Sequence, residues 1–77
     1  MDRLTSIFAE VLDVSAEELS DDTSPDNTPS WDSLAAITLT GMIEEAFSVR
    51  LSARDIMRMQ TIGLAREVLR SKGATDI

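Results

Sequence analysis

The 77-residue chain carries fourteen acidic and seven basic side chains, a formal charge of −7, with no cysteine and no histidine. Without cysteine there is no disulfide framework, thiolate zinc site or thiol nucleophile, and without histidine no Ser-His or Cys-His catalytic pair can form within the chain. The acidic balance argues against nucleic acid as partner, because phosphate backbones are held by clustered lysine and arginine. The charge is uneven: residues 1–45 hold eleven acids against Arg3 alone, net −10, while residues 46–77 hold Asp55, Glu67 and Asp76 against six basic residues, net +3. An acidic half offered to basic partners would raise encounter rates in a salt-dependent way; a solvated surface is the plainer reading for most of these charges. At this length one small domain is expected over 1–77, with an ordered core over about 3–72. No long apolar run or secretory leader is present, so the expectation is a soluble, cytoplasmic protein without a membrane span.

In chain order, Leu4, Ile7, Phe8, Val11 and Leu12 fall at the spacing of one buried helical face and predict a first helix over residues 3–12. Ser15 followed three residues later by Glu18 has capping-box form and predicts a short turn over residues 16–19. From 20 to 30 apolar residues vanish and Pro, Asp, Ser, Thr and Asn take over, which reads as a long surface loop between the first and second helices. Asp21, Asp22 and Asp26 lack the alternating ligands, glycine and closing glutamate of a calcium loop, so no metal is expected.

A second helix is predicted from about Asp32 to Phe47, with Leu39, Ile43 and Phe47 recurring every four residues and Leu34 and Ala46 beside them. Ser52 with Asp55 opens a short third helix, Ile56 and Met59 inward and Arg54 and Arg58 outward. Thr61 caps a fourth, whose stripe is Ile62, Leu64, Ala65, Val68 and Leu69, closed by Lys72 and Gly73. The last residues, 74–77, are expected to fray. No segment alternates as a strand should, so the fold class is all-α: a small four-helix bundle of three main helices and one short one.

Ser30-Trp31-Asp32-Ser33-Leu34 marks the change from turn-prone loop to regular helix. Pro25 and Pro29 keep the preceding stretch out of helical conformation. Ser33 therefore falls in the first turn of the second helix, where unpaired N–H groups and the positive dipole end favour a phosphate. With no internal base to activate it, Ser33 is a candidate for modification by an external enzyme rather than a nucleophile of its own. A phosphodiester there would be tolerated by the dipole and repelled slightly by Asp32, whose carboxylate suits a partner's cation or metal.

Asp32-Ser33-Leu34 at mid-chain, followed by Ile43-Glu44-Glu45-Ala46-Phe47 and a Thr61-Ile62 helix start, resembles the acyl carrier proteins. The tripeptide alone is weak; joined to four-helix spacing and the long first loop it covers nearly all of residues 3–70. The resemblance implies a stand-alone, non-catalytic carrier with a 4′-phosphopantetheine arm on Ser33, transferred from coenzyme A by a magnesium-dependent phosphopantetheinyl transferase. It also implies a partner surface through Asp32, Leu34, Ile37, Glu44 and Glu45, read by an acyl- or aminoacyl-loading ligase and by downstream synthases or transferases. The chain departs from carriers of fatty acid synthesis: Ser30 stands where a glycine is usual, Pro29 where an apolar residue is, Ala35 and Thr38 where acids are common, Gly41 where a larger apolar residue often sits, and Arg54 and Arg58 on a helix that is often acidic. A dedicated carrier in a secondary-metabolite, polysaccharide-modifying or amino-acid-loading pathway fits these departures better.

Blander readings stand beside these. Ser33 can be an ordinary first-turn serine, Trp31 a half-buried residue closing the loop rather than a flank of the arm, and Glu44 and Glu45 solvated charges. Ala35, Ala36, Gly41 and Ala46 either leave room for an acyl chain or serve close helix packing. At the level of the whole chain the alternative is an unmodified acidic helical interaction module. Monomer is expected, since each strong apolar stripe is needed for the core.

Overall fold

The computed structural model describes residues 2–74. Helix α1 spans Arg3–Leu12 and begins where Thr5 N–H donates to the Asp2 carboxylate at 2.7 Å. It stops at Asp13, which turns left-handed at φ 56°. Its buried face is Leu4, Ile7, Phe8 and Leu12, as the spacing required. The Ser15–Glu18 capping box is present and holds one 3-10 turn, Ala16–Glu18.

Helix α2 spans Ser33–Phe47, α3 Ala53–Arg58 and α4 Ile62–Ser71. Each opens on a side-chain cap: Asp32 to Ala35 N–H, Ser52 to Asp55 N–H, Thr61 to Leu64 N–H. Among the described residues there is no strand, and three longer helices with one short one make the expected four-helix arrangement. Helix α1 packs on both α2 and α4, and α3 packs on α4. The core is filled by Leu4, Phe8 and Leu12 from α1, Leu39 and Ile43 from α2, and Ile62, Ala65, Val68 and Leu69 from α4. Each large side chain fully buried here contributes about 1.5 to 3 kcal/mol. Between helices, Trp31 and Leu51 add to the same core.

The long loop is fastened rather than loose. Thr23 is buried, its hydroxyl accepting Ser20 N–H at 2.9 Å, and its carbonyl accepts Ile62 N–H at 3.1 Å. The Asp21 carbonyl accepts Gly63 N–H at 3.0 Å, so the loop covers donors that the first turn of α4 would otherwise leave unpaired. Arg66 reaches from α4 to Asp2 at 3.1 Å and Asp21 at 3.5 Å, joining helix, loop and chain start.

Five expectations are corrected. Leu34 is 72% exposed: the buried row of α2 is Ala35, Leu39 and Ile43, and Leu34, one residue earlier, is rotated about 100° away from it. Leu64 is 40% exposed for the same reason, beside the buried Ile62 and Ala65, and Ile56 is 37% exposed at the edge of α3 rather than fully inward. Trp31 is buried, not half-buried, because its ring tilts against Phe8 with centroids 5.1 Å apart. Ala74 packs on the core and donates its N–H to the Leu69 carbonyl at 3.0 Å; the rest of the expected frayed tail, 75–77, lies outside the described residues.

Candidate functional site at the start of helix α2

The position of Ser33 is set by what immediately precedes it. Trp31 is sunk against Phe8 of α1, and its N–H donates to the Thr28 carbonyl at 2.9 Å, closing the last turn of the loop. The indole therefore closes the loop over the core. One residue on, Asp32 stands outside the helix as its N-cap, with Oδ1 accepting Ala35 N–H at 2.9 Å and its carbonyl accepting Ala36 N–H at 2.9 Å. Ser33 is then the first helical residue, and its side chain is exposed. The N–H groups of Ser33 and Leu34 lie in the turn where no intrahelical carbonyl is available. An anion on Ser33 Oγ would meet those donors and the positive end of a 15-residue helix.

From Ser33 the exposed side of α2 is uncharged over its first turns. Leu34 and Ile37 are 72% and 70% exposed, and no charged residue intervenes between Asp32 and Glu44. One turn beyond Ser33, α2 meets α3 at an open groove of about 300 Å³ lined by Ala36, Ile37, Thr40 and Ile56. Beneath it a small cavity of about 40 Å³ is bounded by Phe8, Trp31, Leu39 and Met59 with Ala36, Thr40 and Ile56. The groove is therefore the roomier of the two.

Asp32, Ser33, Leu34 and Ile37 are thus brought together. Glu44 and Glu45 are not with them: eleven residues separate Ser33 from Glu44, about 16 Å along the helix. Glu44 is half-buried, and its Oε2 accepts Leu51 N–H at 2.8 Å, which holds the connection between α2 and α3. Glu45 is exposed and borders a groove with Ile7, Met42 and Ala46 on the α1 side. Among the small residues, Ala35 is buried in the core, Ala36 lines the groove, and Gly41 faces open space, so close packing does not require a glycine there. Sequence reading missed Thr40 and Ile56 as groove residues; the signal was the Ala36–Thr40 pair, one turn apart on the side of α2 that continues from Ser33.

The sequence model of the family described as the phosphopantetheine attachment site matches residues 2–65 of the chain, a span that runs from the α1 cap into α4 and includes Ser33. A comparison with curated proteins returned no match.

Proposed function

The chain belongs to the family of phosphopantetheine attachment domains, and we propose that Ser33 is the residue on which it carries the group. Membership makes the domain a carrier with covalently attached 4′-phosphopantetheine. The observation that carries the assignment to Ser33 is its exposed hydroxyl on the first residue of α2, beside two unpaired N–H donors. The surroundings fit the group: helix donors for its phosphate, and for the arm and cargo an apolar groove that begins one turn away. When bound, the group supplies a terminal thiol on which acyl or aminoacyl units are held as thioesters.

The tasks of the chain itself are attachment and presentation. Ser33 Oγ would form the new O–P bond as the phosphoanhydride of coenzyme A breaks, with adenosine 3′,5′-bisphosphate leaving with the bond's electron pair and the Ser33 proton passing to a base of the phosphopantetheinyl transferase. Asp32 holds the turn that presents Ser33 and offers its remaining carboxylate surface to a cation on the partner. Leu34 and Ile37 form the apolar contact, with Glu44 and Glu45 a second, more distant acidic contact for loading and synthase enzymes. The arginines of α3 and the uncharged first turns of α2 favour a dedicated pathway over general fatty acid synthesis.

The test is the intact mass of the protein after incubation with coenzyme A, magnesium and a broad-specificity phosphopantetheinyl transferase. The parent is expected to gain one phosphopantetheinyl group and Ser33→Ala none, with unchanged circular dichroism. A gain that persists in Ser33→Ala would move the attachment elsewhere, and a folded parent that gains nothing would favour the unmodified interaction module.

A further inference from the structure

The segment that leads into Ser33 is fastened at both ends and thinly supported between them. Thr23 is buried and its carbonyl is tied to α4, and Trp31 is buried against Phe8. In between, an open hollow of about 290 Å³ is lined by residues 27–30 together with Val14, Glu18 and Leu19. Packing beneath residues 27–30 is therefore incomplete, and Pro25 and Pro29 bring no N–H of their own. Hydrogen bonds set the path of the chain here instead.

Those bonds converge on Asn27. Its Oδ1 accepts Ser24 N–H at 3.0 Å and the Thr28 hydroxyl at 2.9 Å, its Nδ2 donates to the Asp22 carbonyl at 3.1 Å, and its own N–H donates to the Ser24 carbonyl at 3.2 Å. The residue is exposed, so it does not contribute to the core. Its task needs an amide: an aspartate of the same shape accepts as well but cannot donate, and would set a carboxylate against the Asp22 carbonyl. Thr28 passes the constraint on. Its carbonyl accepts Trp31 N–H at 2.9 Å, and Trp31 leads directly into Asp32, the cap of α2, and Ser33. Asn27 thus links the part of the loop fixed on α4 to the turn from which Ser33 emerges.

We propose that Asn27 is a positioning residue for the modification of Ser33: acting through Thr28 and Trp31, its side-chain amide keeps residues 28–32 in the course that a phosphopantetheinyl transferase accepts. The proposal rests on the reading of Ser33 as the attachment site. Without the amide the loop divides its time among several courses. The apparent affinity of the transferase then falls with the fraction that remains competent, while the bond-making step, once the carrier is bound, is unaltered.

The experiment measures steady-state phosphopantetheinylation of the full chain by a broad-specificity transferase, at saturating coenzyme A and magnesium, against carrier concentration. Amide hydrogen exchange of the free, unmodified protein is followed beside it. Asn27→Ala is expected to raise KM for the carrier about fivefold with kcat unchanged, to speed exchange of the Trp31 amide, and to keep its thermal unfolding midpoint well above the assay temperature. Asn27→Asp, which keeps both acceptor bonds and loses the donor, is expected to fall between the parent and the alanine variant, and serves alone if that variant does not fold. An unchanged KM overturns the proposal. So does a raised KM with Trp31 exchange as in the parent, which would make Asn27 a direct contact of the transferase, and so does a loss confined to kcat. A KM that rises only in step with the unfolded fraction leaves Asn27 a residue of stability and overturns it too. A parent that takes no phosphopantetheine removes the Ser33 reading and this role together, whereas a normally modified parent beside an indifferent Asn27→Ala removes this role alone.

Discussion

At the start of α2 the Asp32 carboxylate caps the helix and, in the function proposed above, also meets a partner. One oxygen satisfies Ala35 N–H at 2.9 Å and so fixes where the helix begins, while the exposed side of the residue remains for a partner. The two uses separate by substitution. Asp32→Ala removes an N-cap and is expected to cost about 1 kcal/mol of stability in urea unfolding. Asp32→Asn keeps an acceptor of the same reach and should cost a few tenths at most. Phosphopantetheinylation of Ser33 should slow in both, because both lose the charge; normal modification of the asparagine variant would reduce Asp32 to a cap.

Between elements, the decisive contact is that of the loop on α4. Gly63 lies so close to Asp21 that an added Cβ would meet the Asp21 Cβ at 3.0 Å and its carbonyl oxygen at 3.1 Å. The loop cannot retreat without lengthening the Gly63 N–H bond to that same carbonyl. Gly63→Ala would gain up to about 1 kcal/mol of helix propensity and lose more through strain and the displaced bond, typically about 1 to 3 kcal/mol. The expected outcome is a lower melting temperature with faster amide exchange at residues 62 and 63; a more stable variant would show that the loop yields freely. This contact was illegible in the sequence, because a glycine early in a helix carries no mark of the distant carbonyl it faces. What could be read was local: the α1 stripe, the Ser15–Glu18 and Ser52–Asp55 capping boxes, and Ser33 at a helix start all follow from spacing within a few residues. Glu44 on Leu51, Thr23 in the core and Arg66 across three segments depend on how elements meet. Leu34 and Leu64 misled because they adjoin a true buried row, where one residue of phase separates core from surface.

Over the whole molecule, two acids tie distant parts of the chain, and both titrate below the ordinary range. Burial would raise Asp2, but the Thr5 hydrogen bonds and Arg66 outweigh it and hold its carboxyl lower. Asp55 is pulled from 3.8 to about 2, first by its hydrogen bond with Lys72 and then by the Ser52 N–H. A carboxyl whose folded pKa is depressed binds its proton more readily in the unfolded chain. The stability it contributes is therefore complete above the unfolded value of 3.8 and is lost as pH falls toward about 2. The Lys72–Asp55 pair joins the end of α4 to the first turn of α3, the same helix that bears Arg54 and Arg58, so acid should loosen this corner early. Lys72→Gln tests the origin of the shift. The Asp55 pKa, followed by ¹³C carboxyl titration, is expected to rise toward 3.8 yet stay below it, because Ser52 still donates. The acid unfolding midpoint, followed by circular dichroism, should move to higher pH in step. A variant in which Asp55 still titrates near 2 would assign the shift to the capping box alone and leave Lys72 without a part in anchoring α3.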